Sequence, residues 1–119
     1  MGGGAEFACK DPRGITVSCP KTSWRYLVKH EEMKGQKGVV KAIIEKPDRI
    51  KQSAKFKDRH IYYKLLVLPS VGSAYVRVVV KIRGESPGEI KGHVINAFAC
   101  NGEQKGEKLL WQKSGMNTK

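Results

Sequence analysis

Residues 75–82 read Tyr-Val-Arg-Val-Val-Val-Lys-Ile, and no other feature limits the fold of this chain as much. Four valines and an isoleucine at this density disfavour a helix, where β-branching restricts χ1 against the preceding turn, and suit a pleated, half-buried surface. Turn signals bound the segment on both sides, Pro69 and Gly72 before it and Gly84, Pro87 and Gly88 after it. Two more strand-like stretches, residues 60–68 and 92–100, flank it across those turns. Long strands joined by short turns predict antiparallel neighbours.

The N-terminal half reads differently. Ile15 and Val17 alternate with polar residues in a short strand at 14–18, which Pro20 ends. Thr22 or Ser23 then offers an N-cap, and Trp24, Leu27 and Val28 at i, i+3, i+4 predict a helix running toward Met33 and stopped by Gly35. Val39, Val40, Ile43 and Ile44 mark one face of a second helix at 38–46, and Pro47 forces its exit. Residues 50–54 suit an edge strand, 55–59 its turn, and 108–111 a short final element. The expected architecture is α+β, with two short N-terminal helices packed on a twisted antiparallel sheet of about four strands. At 119 residues this is one domain, expected over 14–112 between tails at 1–13 and 113–119.

Charge points to a partner. Lys and Arg number 23 against 11 Asp and Glu, a formal net charge of +12 that attracts phosphates at long range. Nucleic acid is therefore the first partner to consider, ahead of an anionic membrane or an acidic protein. No apolar run approaches the roughly 20 residues that span a bilayer, so no membrane association is expected. Met1-Gly2-Gly3-Gly4 carries no signal-peptide pattern, which makes the cytoplasm the expected compartment. Cys9, Cys19 and Cys100 form no C-x-x-C and have no His at zinc spacing, so we expect reduced thiols, no metal and no cofactor.

Strand parity sorts the candidate site. In 75–82, Val76, Val78, Val80 and Ile82 share one face, expected to meet the helices, while Tyr75, Arg77, Val79 and Lys81 share the other. In the preceding strand His60, Tyr62 and Lys64 alternate with Ile61, Tyr63 and Leu65. Joining His60, Tyr62 and Lys64 to Arg77 and Lys81 gives a basic and aromatic patch suited to phosphates and stacked bases; the bland alternative is a solvated cationic face. Asn96, the polar residue of its strand, is either a site residue or a satisfied core amide. His30, near the end of the first helix, is a surface or capping residue unless other groups join it.

The strings 24–33 (Trp-Arg-Tyr-Leu-Val-Lys-His-Glu-Glu-Met), 45–50 (Glu-Lys-Pro-Asp-Arg-Ile), 61–64 (Ile-Tyr-Tyr-Lys), 75–81 and 94–98 (Val-Ile-Asn-Ala-Phe), in this order, resemble the phage-type branch of the barnase, colicin and RelE-like nuclease superfamily. The resemblance spans roughly residues 15–100 and implies a metal-independent endoribonuclease, a toxin or phage-encoded effector leaving a 2′,3′-cyclic phosphate. It implies His30 or Glu31 for proton transfer, Lys64 and Lys81 at the phosphate, and Asn96 as an amide donor. Arg25, Lys51, Arg59, His60, Tyr62, Tyr63, Arg77 and Arg83 would bind the nucleic acid. Arg25 stands where such helices often carry a second His, and Asn96 where a Thr is expected. Those two departures motivate the rival reading of a catalytically silent RNA-binding module. A third reading is a basic interaction domain docking on an acidic antitoxin or immunity protein, and the ribosome is a further expected partner of the nuclease reading.

Overall fold

The computed structural model describes residues 5–27, 29, 35–68, 72–84, 89–100, 102 and 104–113. In chain order the elements are β1 (Ala5–Lys10), β2 (Thr16–Pro20), α1 (Lys21–Leu27), α2 (Lys37–Glu45), β3 (Arg49–Gln52), β4 (Arg59–Leu68), β5 (Gly72–Arg83), β6 (Lys91–Cys100) and β7 (Lys108–Gln112). The strands form one sheet in the order β1-β2-β6-β5-β4-β3-β7. All neighbours are antiparallel except β2 and β6, which run parallel.

This corrects the expected fold. The chain is mostly sheet, seven strands in one mixed sheet with two short helices, rather than two helices on an antiparallel sheet of about four strands. The sheet extends beyond the central hairpins at both edges. Residues 5–10, expected in a tail, pair with β2 as an edge strand, Cys9 opposite Val17 and Lys10 opposite Thr16. β2 lies against β6, some 75 residues on, through Thr16–Lys91 and Ser18–His93, and β7 closes the other edge against β3. Pairings of such sequence separation leave no local signature, whereas the β4–β5–β6 meander announces itself through its turns.

α1 begins at Lys21, directly after Pro20 ends β2, rather than after an N-cap at Thr22 or Ser23. α2 falls within one residue of expectation, buries Val40, Ile43 and Ile44, and stops just short of Pro47. Both helices cover the same face. There Leu27, Val40, Ile43 and Ile44 pack with Val17, Cys19, Ile50, Tyr62, Val76, Val78, Val80, Val94 and Ala97, so the valine face does meet the helices. A smaller cluster of Ile61, Tyr63 and Val79, joined by Ile95 and Cys100, lies on the other face, which no helix covers among the described residues and which is called the helix-free face. Gly84, leaving β5 with φ +110°, is required: a Cβ there would sit 2.5 Å from the Glu89 carbonyl oxygen.

Candidate nucleic-acid interface

Residues opposite one another in an antiparallel ladder share a face, so register assembles the site. On the helix-free face Arg59 faces Lys81, which faces His93. The next row is Ile61, Val79 and Asn96, and the one after it Tyr63, Arg77 and Phe98. Between the first two rows the ladder slips: Val79 opposes Asn96 while Val80 opposes Val94, leaving Ile95 as an additional residue. This bulge turns Ile95 and Asn96 toward the same concavity. Asn96 Oδ1 accepts the Ala97 backbone N–H at 2.9 Å, so part of its amide is spent on the bulge itself.

The concavity holds about 360 Å³. Its floor is Ile61, Val79 and Ile95, and its walls are the 53–56 turn, Arg59, Arg77 and Gln104 with Lys105. Lys55 and Lys105 are exposed at its rim. The Arg59 guanidinium lies 3.9 Å from the Phe56 ring centroid, and its Nε is buried without a hydrogen-bond partner among the described residues.

Arg77 is committed to the fold. Its Nε donates to Tyr63 Oη at 3.1 Å, and its Nη2 to Glu107 Oε2 at 2.8 Å and Gln104 Oε1 at 3.2 Å. Tyr63 in turn donates to Glu107 Oε1 at 2.7 Å and accepts the Gln104 backbone N–H at 3.3 Å. This knot fastens the β6–β7 loop over the sheet. Burial, then the Glu107 carboxylate, push the Tyr63 phenol up to about 12. Burial by itself would weaken the Arg77 charge, but its bonds to Glu107 and Tyr63 more than offset that and raise its pKa.

His93 differs from an ordinary surface imidazole. Burial, then the nearby Arg83 and Lys81 charges, lower its pKa and so favour its neutral form. Arg83 itself is exposed at the end of β5, opposite Lys91.

The expected patch divides between the two faces. His60, Tyr62 and Lys64 oppose Val80, Val78 and Val76, which places them on the helix side, away from Arg77 and Lys81. Alternation within each strand was legible, but only register says which face of one strand continues which face of the next. Tyr62 is fully buried and donates to Asp11 Oδ2 at 2.6 Å, and Arg13 bonds that carboxylate, Tyr62 Oη and His60 Nδ1 at 2.7, 3.1 and 3.1 Å. Burial, then the Arg13 charge, bring His60 down to about 4. Lys64 Nζ donates to the Lys46 carbonyl at 2.9 Å and lies 3.5 Å from Asp48 Oδ1, a structural tie. Lys51 opposes Ile61 and so joins the helix-free face, while Arg25 is exposed on α1. His30 and Glu31 lie outside the described residues. The structure thus brings together Lys51, Arg59, Tyr63, Arg77, Lys81, Arg83 and Asn96.

The sequence reading did not single out His93, Lys55, Lys105 and Glu107. His93 joins the site through a register that alternation within its own strand does not give, and the loop residues carried no signal either. Among the described residues no three His, Cys, Asp or Glu side chains gather to hold a metal ion, and no helix is long and apolar enough to cross a membrane. Compared with known protein families, curated proteins and solved structures, the chain matches none.

Proposed function

We propose that the helix-free face of the sheet binds single-stranded RNA. The observation that carries this is the row Arg59–Lys81–His93 lying beside a concavity whose rim adds Lys55 and Lys105. Glu107, at the edge of this region, is already paired with Arg77. Phosphates would follow the Arg59, Lys81 and Arg83 edge while an unstacked base enters the concavity against the Phe56–Arg59 stack. A duplex offers no unstacked base to such a slot. In fluorescence anisotropy, a labelled single-stranded RNA is expected to bind with a log–log salt slope of several units. Binding that does not respond to salt, or that prefers duplex, would refute the proposal.

A second reading, metal-independent cleavage, is favoured by His93. An imidazole opposite Lys81, biased toward its neutral form by burial and the nearby cations, suits a general base for a ribose 2′-hydroxyl, with cations at hand for the phosphate. Prolonged incubation of RNA in EDTA tests it. Discrete fragments that disappear in the His93→Ala variant support cleavage, and retained intact RNA leaves a binding module.

A further inference from the structure

The polar side chains of the concavity share a property that decides what can bind there. Arg59, Lys55 and Lys105 can only donate hydrogen bonds. Each side-chain oxygen able to accept already takes at least one internal bond. Asn96 Oδ1 takes the Ala97 N–H, Gln104 Oε1 takes Arg77 Nη2, and Ser53 Oγ takes the backbone N–H groups of Lys55 and Phe56, both at 3.2 Å. Because those partners can only donate, the two amide oxygens are fixed in place, and each amide offers its NH2 group. Arg59 Nε adds a buried donor with no partner among the described residues. The side-chain groups left open around the apolar floor of Ile61, Val79 and Ile95 are thus mainly donors.

A ligand that fits must be flat, apolar on its faces, and lined with acceptors along one edge. On the edge that bases turn to the major groove, adenine sets its amino donor beside N7, cytosine offers only its amino donor, and uracil a single acceptor, O4. Guanine alone offers an edge of two adjacent acceptors and no donor, N7 and O6. The volume of about 360 Å³ lies within the range of small-ligand sites, about 300–1,000 Å³. We infer that the concavity selects a guanine base of single-stranded RNA, read through its N7 and O6 by the Asn96 amide and the Arg59 guanidinium. This inference rests on the RNA-binding reading and names its specificity.

The test uses labelled hexanucleotides of adenosine in which one central residue is adenosine, guanosine, inosine or 7-deazaguanosine. Inosine keeps N7 and O6 but lacks the 2-amino group; 7-deazaguanosine lacks N7. Guanosine and inosine oligomers are expected to bind about tenfold more tightly than the all-adenosine one, and the 7-deazaguanosine oligomer should lose most of that gain. Asn96→Asp keeps an oxygen for the Ala97 N–H and replaces the NH2 by an acceptor, so the guanine-to-adenine ratio should fall to about one. The ratio cancels the general weakening caused by the added negative charge. Equal binding of all four oligomers, with the salt dependence intact, would overturn the guanine assignment and leave the RNA-binding face standing. Tight binding of the 7-deazaguanosine oligomer would overturn the acceptor-edge argument. Failure of every oligomer to bind would overturn the RNA reading itself. Guanosine 5′-monophosphate should compete far less well than the guanosine oligomer; equal competition would replace a strand by a free nucleotide as the ligand.

Discussion

Glu107 is the residue whose replacement tests the architecture of the interface most severely. Its side chain is 1% exposed, it accepts from Tyr63 at 2.7 Å and from Arg77 at 2.8 Å, and the Arg77 side chain is itself only 11% exposed. Removing one partner of a buried ion pair strands the other charge, at a cost of about 3–5 kcal/mol. Glu107→Gln keeps one oxygen acceptor for Tyr63 or Arg77, which brings the expected loss to or just below the bottom of that range, about 2–3 kcal/mol. For a domain of this size that corresponds to a Tm lower by about 8–12 °C in calorimetry. Arg77→Met keeps the aliphatic stem and removes the charge, so the double variant should be less destabilised than the two single changes added together. The cycle should give a coupling of about 2 kcal/mol. A Glu107→Gln variant melting within about 2 °C of the parent, or single changes that simply add, would refute the picture of a knot that fastens the β6–β7 loop.

Three further outcomes are expected. Lys81→Ala should reduce the log–log salt slope of RNA binding by about one unit, whereas Lys64→Ala, on the opposite face and tied to Asp48, should leave the slope unchanged in the same titration. Gly92→Ala should cost about 1–3 kcal/mol in urea unfolding by overpacking, because a Cβ there would meet Val80 Cγ1 at 2.6 Å and Ile82 Cδ1 at 3.1 Å. His60, with an ordinary pKa of 6.5 and a folded value of about 4, binds fewer protons folded than unfolded between those limits. Its contribution to stability is thus complete above pH 6.5 and lost progressively as the pH falls toward 4. Urea midpoints between pH 7 and 5 should consequently fall less steeply in His60→Asn than in the parent.

The β-rich centre of the chain was legible because its signals are local. The valines of β5, the Pro and Gly of its turns and the 3.6-residue spacing in α2 each act within a few residues, and each gave an element close to its place. The β2–β6 pairing escaped because its partners lie some 75 residues apart, while Ala5–Lys10, close in sequence to β2, shows little alternation of its own and becomes a strand by pairing with it. The site was legible to the same degree. Alternation placed Arg77 and Lys81 together and the valines beneath the helices, yet it joined Tyr62 to the wrong neighbours, since parity within one strand carries no register. Tyr62 and Tyr63 show the consequence most directly: adjacent in sequence, one is bound to Asp11 under the helices and the other to Glu107 on the opposite face. That division made Asp11 and Arg13 structural, although nothing near them in the sequence pointed to β4.

A methyl-resolved NMR titration of the chain with a single-stranded RNA containing guanosine tests the central claim, because methyl groups report on which face is touched. The account predicts that the methyls of Ile61, Val79 and Ile95 shift on binding while those of Val40, Ile43 and Ile44 beneath the helices stay in place. Shifts confined to the helix side, or none at concentrations where the RNA is bound, would contradict it.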